Sequence, residues 1–179
     1  MLRVHDCAVC YVLIGHPATN IIIPYICPEL PDAQKAAMRK LVRTINVQTN
    51  VVLRNWEAFQ KLGVSRISFP RSFYDSISLS APRTFGALKP SAAPSQPVIA
   101  TFGISHGTAN ATFIQEIMGG ATLPPGMPMR DQLRAVRAGL FNTPFERFER
   151  AMRSQAAAAL GAGGFDPKRD ILAMTLNRW

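Results

Sequence analysis

Two cysteines near the start of the chain have the spacing of a metal or redox site. Cys7 and Cys10 form a C-x-x-C pair, which zinc ligands and thiol–disulfide oxidoreductases both use. A zinc site also needs a second pair or nearby histidines, but the three histidines are scattered along the chain. Both cysteines lie in an apolar run over residues 7–14, so we predict a buried strand in which they are small apolar side chains.

Glycine-rich sequence occurs at residues 161–164, in a position that does not suit phosphate binding. The stretch follows a predicted helix, whereas phosphate-binding glycines precede a helix and present the amides of its N-terminus. We therefore interpret these glycines as a helix stop. The chain has no G-x-x-x-x-G-K-[ST] loop, no H-E-x-x-H pair and no G-x-G-x-x-G fingerprint. These three motifs thus assign neither a catalytic residue nor a metal ligand.

The composition is that of an apolar globular chain with a cationic surface. Of the 179 residues, 47% are hydrophobic and 17% are charged, and the formal net charge is +9. A charged fraction below the usual value of about 25% indicates that another domain or subunit covers part of the surface. The arginines are spread over three predicted helices, so we expect no nucleic-acid partner. No run of about 18 apolar residues occurs, so we expect no membrane span.

Hydrophobic periodicity predicts alternating helices and strands. The predicted strands cover residues 7–14, 47–54, 64–69, 73–80, 98–104 and 170–179. The predicted helices cover residues 32–42, 56–62, 130–141 and 144–160. Several strands follow one another without a helical crossover, which favours antiparallel neighbours. We therefore predict an α+β fold with a mixed, mostly antiparallel sheet and helices on one face.

The last two predicted helices have the clearest side-chain pattern. Leu133, Val136 and Leu140 are expected to face inward from the first of them. The second begins with a capping-box pattern, in which Thr143 caps the helix and Glu146 completes the box. Its expected buried stripe consists of Phe145, Phe148, Met152 and Leu160.

Five stretches together carry a family resemblance. They read IPYICPELP at 23–31, TNVVLRNWEAF at 49–59, KLGVS at 61–65, TPFERFER at 143–150, and GFDP at 164–167 continuing to the final Asn-Arg-Trp. In order and spacing, across about residues 21–179, they resemble the C-terminal half of bacterial spermidine-dehydrogenase-like flavoproteins. These enzymes resemble the wider monoamine and polyamine oxidases, which join an FAD-binding Rossmann-like domain to a substrate domain.

The resemblance implies part of an FAD-dependent oxidoreductase that oxidises amines or polyamines by hydride transfer to the flavin. Residues 1–20 diverge from the family, and residues 21–179 are similar to its substrate domain without the FAD-binding ends. We therefore expect this chain to be inactive alone. Its expected partners are an amine substrate and either the missing FAD-binding portion or another subunit. The alternative is a non-catalytic interaction module derived from that domain. The compartment is left open between cytoplasm and periplasm.

The resemblance also selects candidates for residues that face the substrate or the flavin. Asn177, Arg178 and Trp179 match the stretch that leads to the flavin face in relatives. An aromatic ring beside an amine attracts the cation through its quadrupole. The alternative for Trp179 is a core aromatic at the end of a strand.

A second candidate set, Arg54, Asn55 and Trp56, lies at a predicted strand-to-helix junction. A tryptophan at such a junction commonly packs on the core, and an asparagine there commonly caps the helix. Both the ligand-facing and the structural interpretation stay open for this set.

Overall fold

The computed structural model describes residues 19–41, 44–81, 84, 86–87, 89–104 and 110–178. The chain divides into two compact units, Met1–Arg43 and Thr44–Trp179. The strand predicted over residues 7–14 lies outside the described residues, and so does Trp179. The boundary drawn at residue 20 from the family resemblance stays a prediction.

The described residues of the first unit, 19–41, form two short helices, α1 (Thr19–Ile26) and α2 (Asp32–Lys40). The helix predicted from residue 32 is thus confirmed, and it ends two residues before the expected position. Helix α1 includes Pro24, which has no backbone N–H and so cannot donate the i→i−4 hydrogen bond at that position. Lys35 of α2 donates a hydrogen bond of 2.6 Å to the carbonyl oxygen of Pro28 in the connection between the helices.

The second unit is an α+β domain, which confirms the predicted class. Its sheet consists of β1 (Val47–Leu53), β2 (Arg66–Ser68), β3 (Ser76–Leu79), β4 (Val98–Ile104) and β5 (Ile171–Arg178). Its helices are α3 (Glu57–Lys61), α4 (Ala111–Ile117), α5 (Met129–Asn142), α6 (Phe145–Leu160) and α7 (Pro167–Asp170). A 3₁₀ turn, Gly161–Gly163, follows α6 directly.

The five strands have the spatial order β2-β3-β4-β1-β5. Every pairing among these described strands is antiparallel, so the expectation of a mixed sheet is wrong for them. The central strand β1 places Val47 opposite both Ile104 of β4 and Arg178 of β5. The register between β1 and β5 shifts at one irregularity, between Val52 and Leu53.

The core lies between one face of the sheet and helices α4, α5 and α6. Alternate residues of β1 are buried, as the period of two in a strand requires. The Tyr74 hydroxyl lies 2.8 Å from the Thr49 hydroxyl on β1 and 3.5 Å from the Phe148 carbonyl oxygen on α6, which joins the two layers. The buried residues of these three helices are Phe113, Ile117, Leu133, Val136, Leu140, Phe148, Met152, Ala156 and Leu160.

The predicted start of α6 is wrong in its details. Thr143 does not cap α6, because its hydroxyl instead donates a 2.7 Å hydrogen bond to the Gly139 carbonyl oxygen of α5. Pro144 occupies the cap position without a side-chain hydrogen bond. Phe145 was expected to be buried but is 39% exposed, since it is the first residue of the helix and precedes the stripe that begins at Phe148.

Candidate functional site

The face of the sheet opposite the core is polar at one end and apolar at the other. We call it the open face, because its side chains are half-buried or exposed. Cross-strand registers place its members in rows that run across the strands. The open face consists of Arg66 and Ser68 of β2, Ser76 and Ser78 of β3, Ile99, Thr101 and Gly103 of β4, Gln48, Asn50 and Val52 of β1, and Ala173, Thr175 and Asn177 of β5.

Asn50 is the centre of a small hydrogen-bond network on the open face. Its Oδ1 accepts a 2.9 Å hydrogen bond from the Thr101 hydroxyl and a 3.4 Å bond from Nε2 of Gln48. These contacts hold the three side chains in a fixed arrangement on neighbouring strands. The resulting surface offers amide and hydroxyl groups, which can bind and orient a polar ligand. It has no carboxylate, and therefore no general acid or base of that type, among its members.

Asn177 and Arg178 of the first candidate set lie on opposite faces of the sheet. Asn177 is exposed and belongs to the open face. Arg178 points to the core side, where its guanidinium donates hydrogen bonds of 3.1 Å to the Leu140 carbonyl oxygen and 2.9 Å to the Thr143 carbonyl oxygen. The same group lies 5.8 Å from the centre of the Phe148 ring. Arg178 thus satisfies backbone acceptors at the end of α5, where a cation is favourable.

The second candidate set makes structural contacts at the end of β1. Asn55 accepts a 3.2 Å hydrogen bond from the backbone N–H of Glu57, two residues later, as in an Asx turn; it precedes the cap position of α3, which is Trp56. The indole N–H of Trp56 donates to the Ser91 hydroxyl at 3.2 Å, and its ring packs against the core. Arg54 donates from Nε to the carbonyl oxygen of Arg169 at 3.1 Å.

The two candidate sets lie at opposite ends of β1. Asn177 is opposite Gln48, near the start of the strand, whereas Arg54 directly follows its last residue. The six-residue separation along an extended strand corresponds to about 20 Å. The structure therefore does not bring the two sets into one site.

A small polar cavity lies beside Asn55, with a volume of about 350 Å³. It forms where α3 approaches the 3₁₀ turn so closely that a Cβ on Gly163 would lie 2.6 Å from the Ala58 carbonyl oxygen. The cavity lining combines one carboxylate, two cations and one amide with small residues. These lining residues are Asn55, Glu57, Ala58, Lys61, Gly163, Gly164 and Arg169.

A buried carboxylate fixes the cation at the edge of this cavity. Asp170 is 2% exposed, and its two oxygens accept hydrogen bonds of 2.7 and 2.8 Å from the Arg169 guanidinium. The hydrogen bond from Arg169 holds the pKa of Asp170 below its ordinary value. Asp170 also accepts a 2.8 Å bond from the backbone N–H of Asp166. Arg169 is thereby held in place as a positioned cation.

Two other kinds of site are not found in the part of the chain that the structure describes. Within residues 19–178, apart from the gaps given above, no cluster of three or more His, Cys, Asp or Glu side chains is arranged to hold a metal ion. Of the helices described, none combines the length and the apolar character needed to cross a lipid bilayer.

One nucleophile pattern lies at the end of β4. Residues 103–107 read Gly-Ile-Ser-His-Gly, which fits the G-x-S-x-G pattern of serine hydrolases. In those enzymes the serine lies on a sharp turn from a strand directly into a helix, in an α/β sheet. Here β4 belongs to an antiparallel sheet, and the next helix in the described part of the chain, α4, begins at Ala111. Ser105 itself lies outside the described residues, and the surrounding elements differ from those of a nucleophile elbow.

Comparison of the sequence with models of known protein families gives no match, and comparison with curated protein sequences gives none either.

The glycines at residues 161–164 are the glycine-rich stretch that could be expected to contact the pyrophosphate of the FAD that the resemblance implies. They lie at the C-terminal end of α6, and Gly164 has a φ of 90°. This end of a helix presents carbonyl oxygens and the negative pole of the dipole, which repel a pyrophosphate. These glycines therefore do not fit the pyrophosphate of FAD.

Proposed function

We propose that this chain is the substrate-binding part of an FAD-dependent amine oxidoreductase and that its open face is one wall of the amine pocket. The observation that carries the proposal is the sheet with one face covered by helices and the other left polar and accessible. The resemblance of the five stretches supplies the enzyme class.

In this proposal the polar rows of the open face bind and orient the substrate. Asn177 and Gln48 are opposite each other on neighbouring strands, so their amide oxygens are available at one end of the face. An amide oxygen accepts a hydrogen bond from a protonated or neutral amine. Such groups position an amine without exchanging protons with it. The flavin supplies the oxidation in this class of enzyme, and its pyrophosphate is held by polypeptide other than the residues described.

The first test is the DNA that flanks the coding sequence. We expect the reading frame upstream to encode a G-x-G-x-x-G fingerprint after a strand and before a helix. Flanking sequence without any flavoprotein pattern would remove the enzyme class from consideration.

The second test is mutational and uses the flavoprotein that the extended frame encodes. Asn177→Ala removes an exposed amide from the open face, so we expect the KM for the amine to rise with little change in flavin content. Arg150→Ala is the matched control, because Arg150 is an exposed residue of α6. Equal KM values for the Asn177→Ala variant and the unaltered protein would contradict the role given to the open face.

The alternative function is a non-catalytic interaction module that uses the apolar end of the same face. It is favoured by Ile99, which is 46% exposed and lies in one row with Val52 and Ala173. In this case a dye that binds apolar surfaces should fluoresce with the purified chain and lose part of that signal in Ile99→Ser. The same low fluorescence in both proteins would count against the interaction module.

A further inference from the structure

The five described strands form a sheet with two edges, and these edges differ in how well they are protected against pairing with another strand. The edge strand β2 has three residues, carries the exposed Arg66, and is followed by Pro70. Short length, charge and proline are features that discourage a second strand from adding to an edge. The opposite edge strand, β5, has eight residues and contains no proline.

The side chains of β5 also leave its outer edge accessible. Leu172 is 47% exposed, and Ala173 and Thr175 are exposed as well. The only charged residue of the strand is Arg178 at its end, and its guanidinium is hydrogen bonded toward α5. Phe141, which is 52% exposed, lies beside that guanidinium and adds apolar surface on the core side of the strand. Among the described strands, none pairs with the outer edge of β5, and a long edge strand whose single charge lies at its last residue is a template for strand addition.

We propose that β5 is a homodimerisation edge, at which the β5 strands of two copies of this chain pair antiparallel about a two-fold axis. A two-fold interface must be complementary to itself. This condition is met by the register that places Met174 opposite Met174 of the second copy. In that register Leu172 is opposite Leu176, and Ala173 is opposite Thr175.

This register matches side-chain character on both faces of the sheet. Met174 meets Met174 on the core side, and Ala173 meets Thr175 on the side of the open face; Leu172, which lies at the irregularity of the β1–β5 register and is 47% exposed, would be opposite Leu176. No two like charges are opposed within the strand, because its one charged residue, Arg178, would be opposite residue 170, which is Asp170. Pairing would join two five-stranded sheets into one continuous sheet of ten strands. The inference goes beyond the amine-oxidoreductase proposal and does not depend on it.

The test uses a charge pattern that reports on this register. In A173K/T175K, two pairs of like charges oppose each other across the two-fold axis, and directly opposed like charges destabilise strand pairing. In A173K/T175E, the same two positions bring opposite charges together. Ser68→Lys, an exposed position on the β2 edge, is the control for added charge. The molar mass of each purified full-length chain is measured by light scattering over a range of concentrations.

We expect the unaltered chain, the Ser68→Lys control and A173K/T175E to be dimers, and we expect A173K/T175K to dissociate with a Kd raised about tenfold or more. Circular dichroism of each variant distinguishes dissociation from unfolding. The proposal is overturned if the unaltered chain stays monomeric at its highest soluble concentration. It is also overturned if A173K/T175K dimerises as well as the unaltered chain, or if both double variants are folded monomers.

Discussion

The close approach of α3 and the 3₁₀ turn leads to a sharp prediction for Gly163. A Cβ at this position would lie 2.6 Å from the carbonyl oxygen, 2.8 Å from Cα and 3.0 Å from Cβ of Ala58. Two of these atoms belong to the backbone, so no side-chain rotation can relieve the overlap. Gly163→Ala must instead separate α3 from the turn, which disturbs a well-packed region that contains the buried Phe59 and Leu160.

We expect Gly163→Ala to lower the free energy of unfolding by about 1–3 kcal/mol, the range typical of overpacked cores. Gly161→Ala is a matched control in the same turn, because a Cβ there has no atom within 4 Å. Its φ of −57° and ψ of −38° are also helical, so alanine fits without strain. We expect this control to change the free energy of unfolding by less than about 1 kcal/mol, in the stabilising direction.

Urea unfolding of both variants, followed by far-ultraviolet circular dichroism, measures the difference between them. The midpoint for Gly163→Ala should fall below that of the unaltered chain, and the midpoint for Gly161→Ala should equal or exceed it. Equal midpoints for the two variants would refute the close contact between α3 and the turn. They would also remove the physical basis for the cavity at this place.

Three further predictions concern single side chains. Arg178→Leu should lower the free energy of unfolding by about 1–3 kcal/mol, because the half-buried carbonyl oxygens of Leu140 and Thr143 lose a charged donor. An unchanged thermal unfolding temperature for this variant would contradict the structural role of Arg178. Burial raises the pKa of Tyr74, so its phenol stays protonated in the folded chain at pH values where the unfolded chain ionises it. Stability should therefore fall as pH rises above about 10, and this loss should be smaller in Tyr74→Phe; identical pH profiles would count against the shift. A fluorophosphonate probe, which reacts with the nucleophilic serine of hydrolases, should not label Ser105. Mass spectrometry of the treated protein measures the labelling. Stoichiometric labelling would instead indicate a working hydrolase nucleophile.

The strands and long helices were predictable because their side-chain periodicity is strong. Residues 47–53 alternate as a half-buried strand must, and β1 has the expected pattern of burial. Leu133, Val136 and Leu140 follow the helical period and are all buried in α5. In both β1 and α5, the apolar residues recur with the period of the element because only one side of it faces the core.

Helix α4 was not predicted, although a local signal for it exists. Asn110 accepts a 2.9 Å hydrogen bond from the backbone N–H of Phe113, which is the contact of an N-cap. The seven-residue helix carries only two buried residues, Phe113 and Ile117, so its periodic pattern is short. The prediction for the start of α6 was wrong for a related reason. The Thr143 hydroxyl had two possible backbone partners, and the preceding helix provides the one it uses.

The candidate site was harder to predict, because it depends on long-range pairing. Asn177 and Arg178 are neighbours in sequence, but adjacent residues of a strand point to opposite faces. Asn50 was not among the candidates, since its importance comes from Thr101, which lies fifty-one residues further along the chain. The cavity likewise joins α3 to a turn that follows α6. Sequence spacing alone contains none of this information.

The amine-oxidoreductase proposal is tested most directly by a flavin spectrum. The protein to be measured is the product of the whole reading frame, which contains these residues and their flanking sequence. We expect that protein to be purified with bound FAD, and we expect the visible absorbance of the flavin to bleach when spermidine is added without oxygen. A protein that contains no flavin, or one whose oxidised flavin spectrum stays unchanged with every amine supplied, would contradict the proposal.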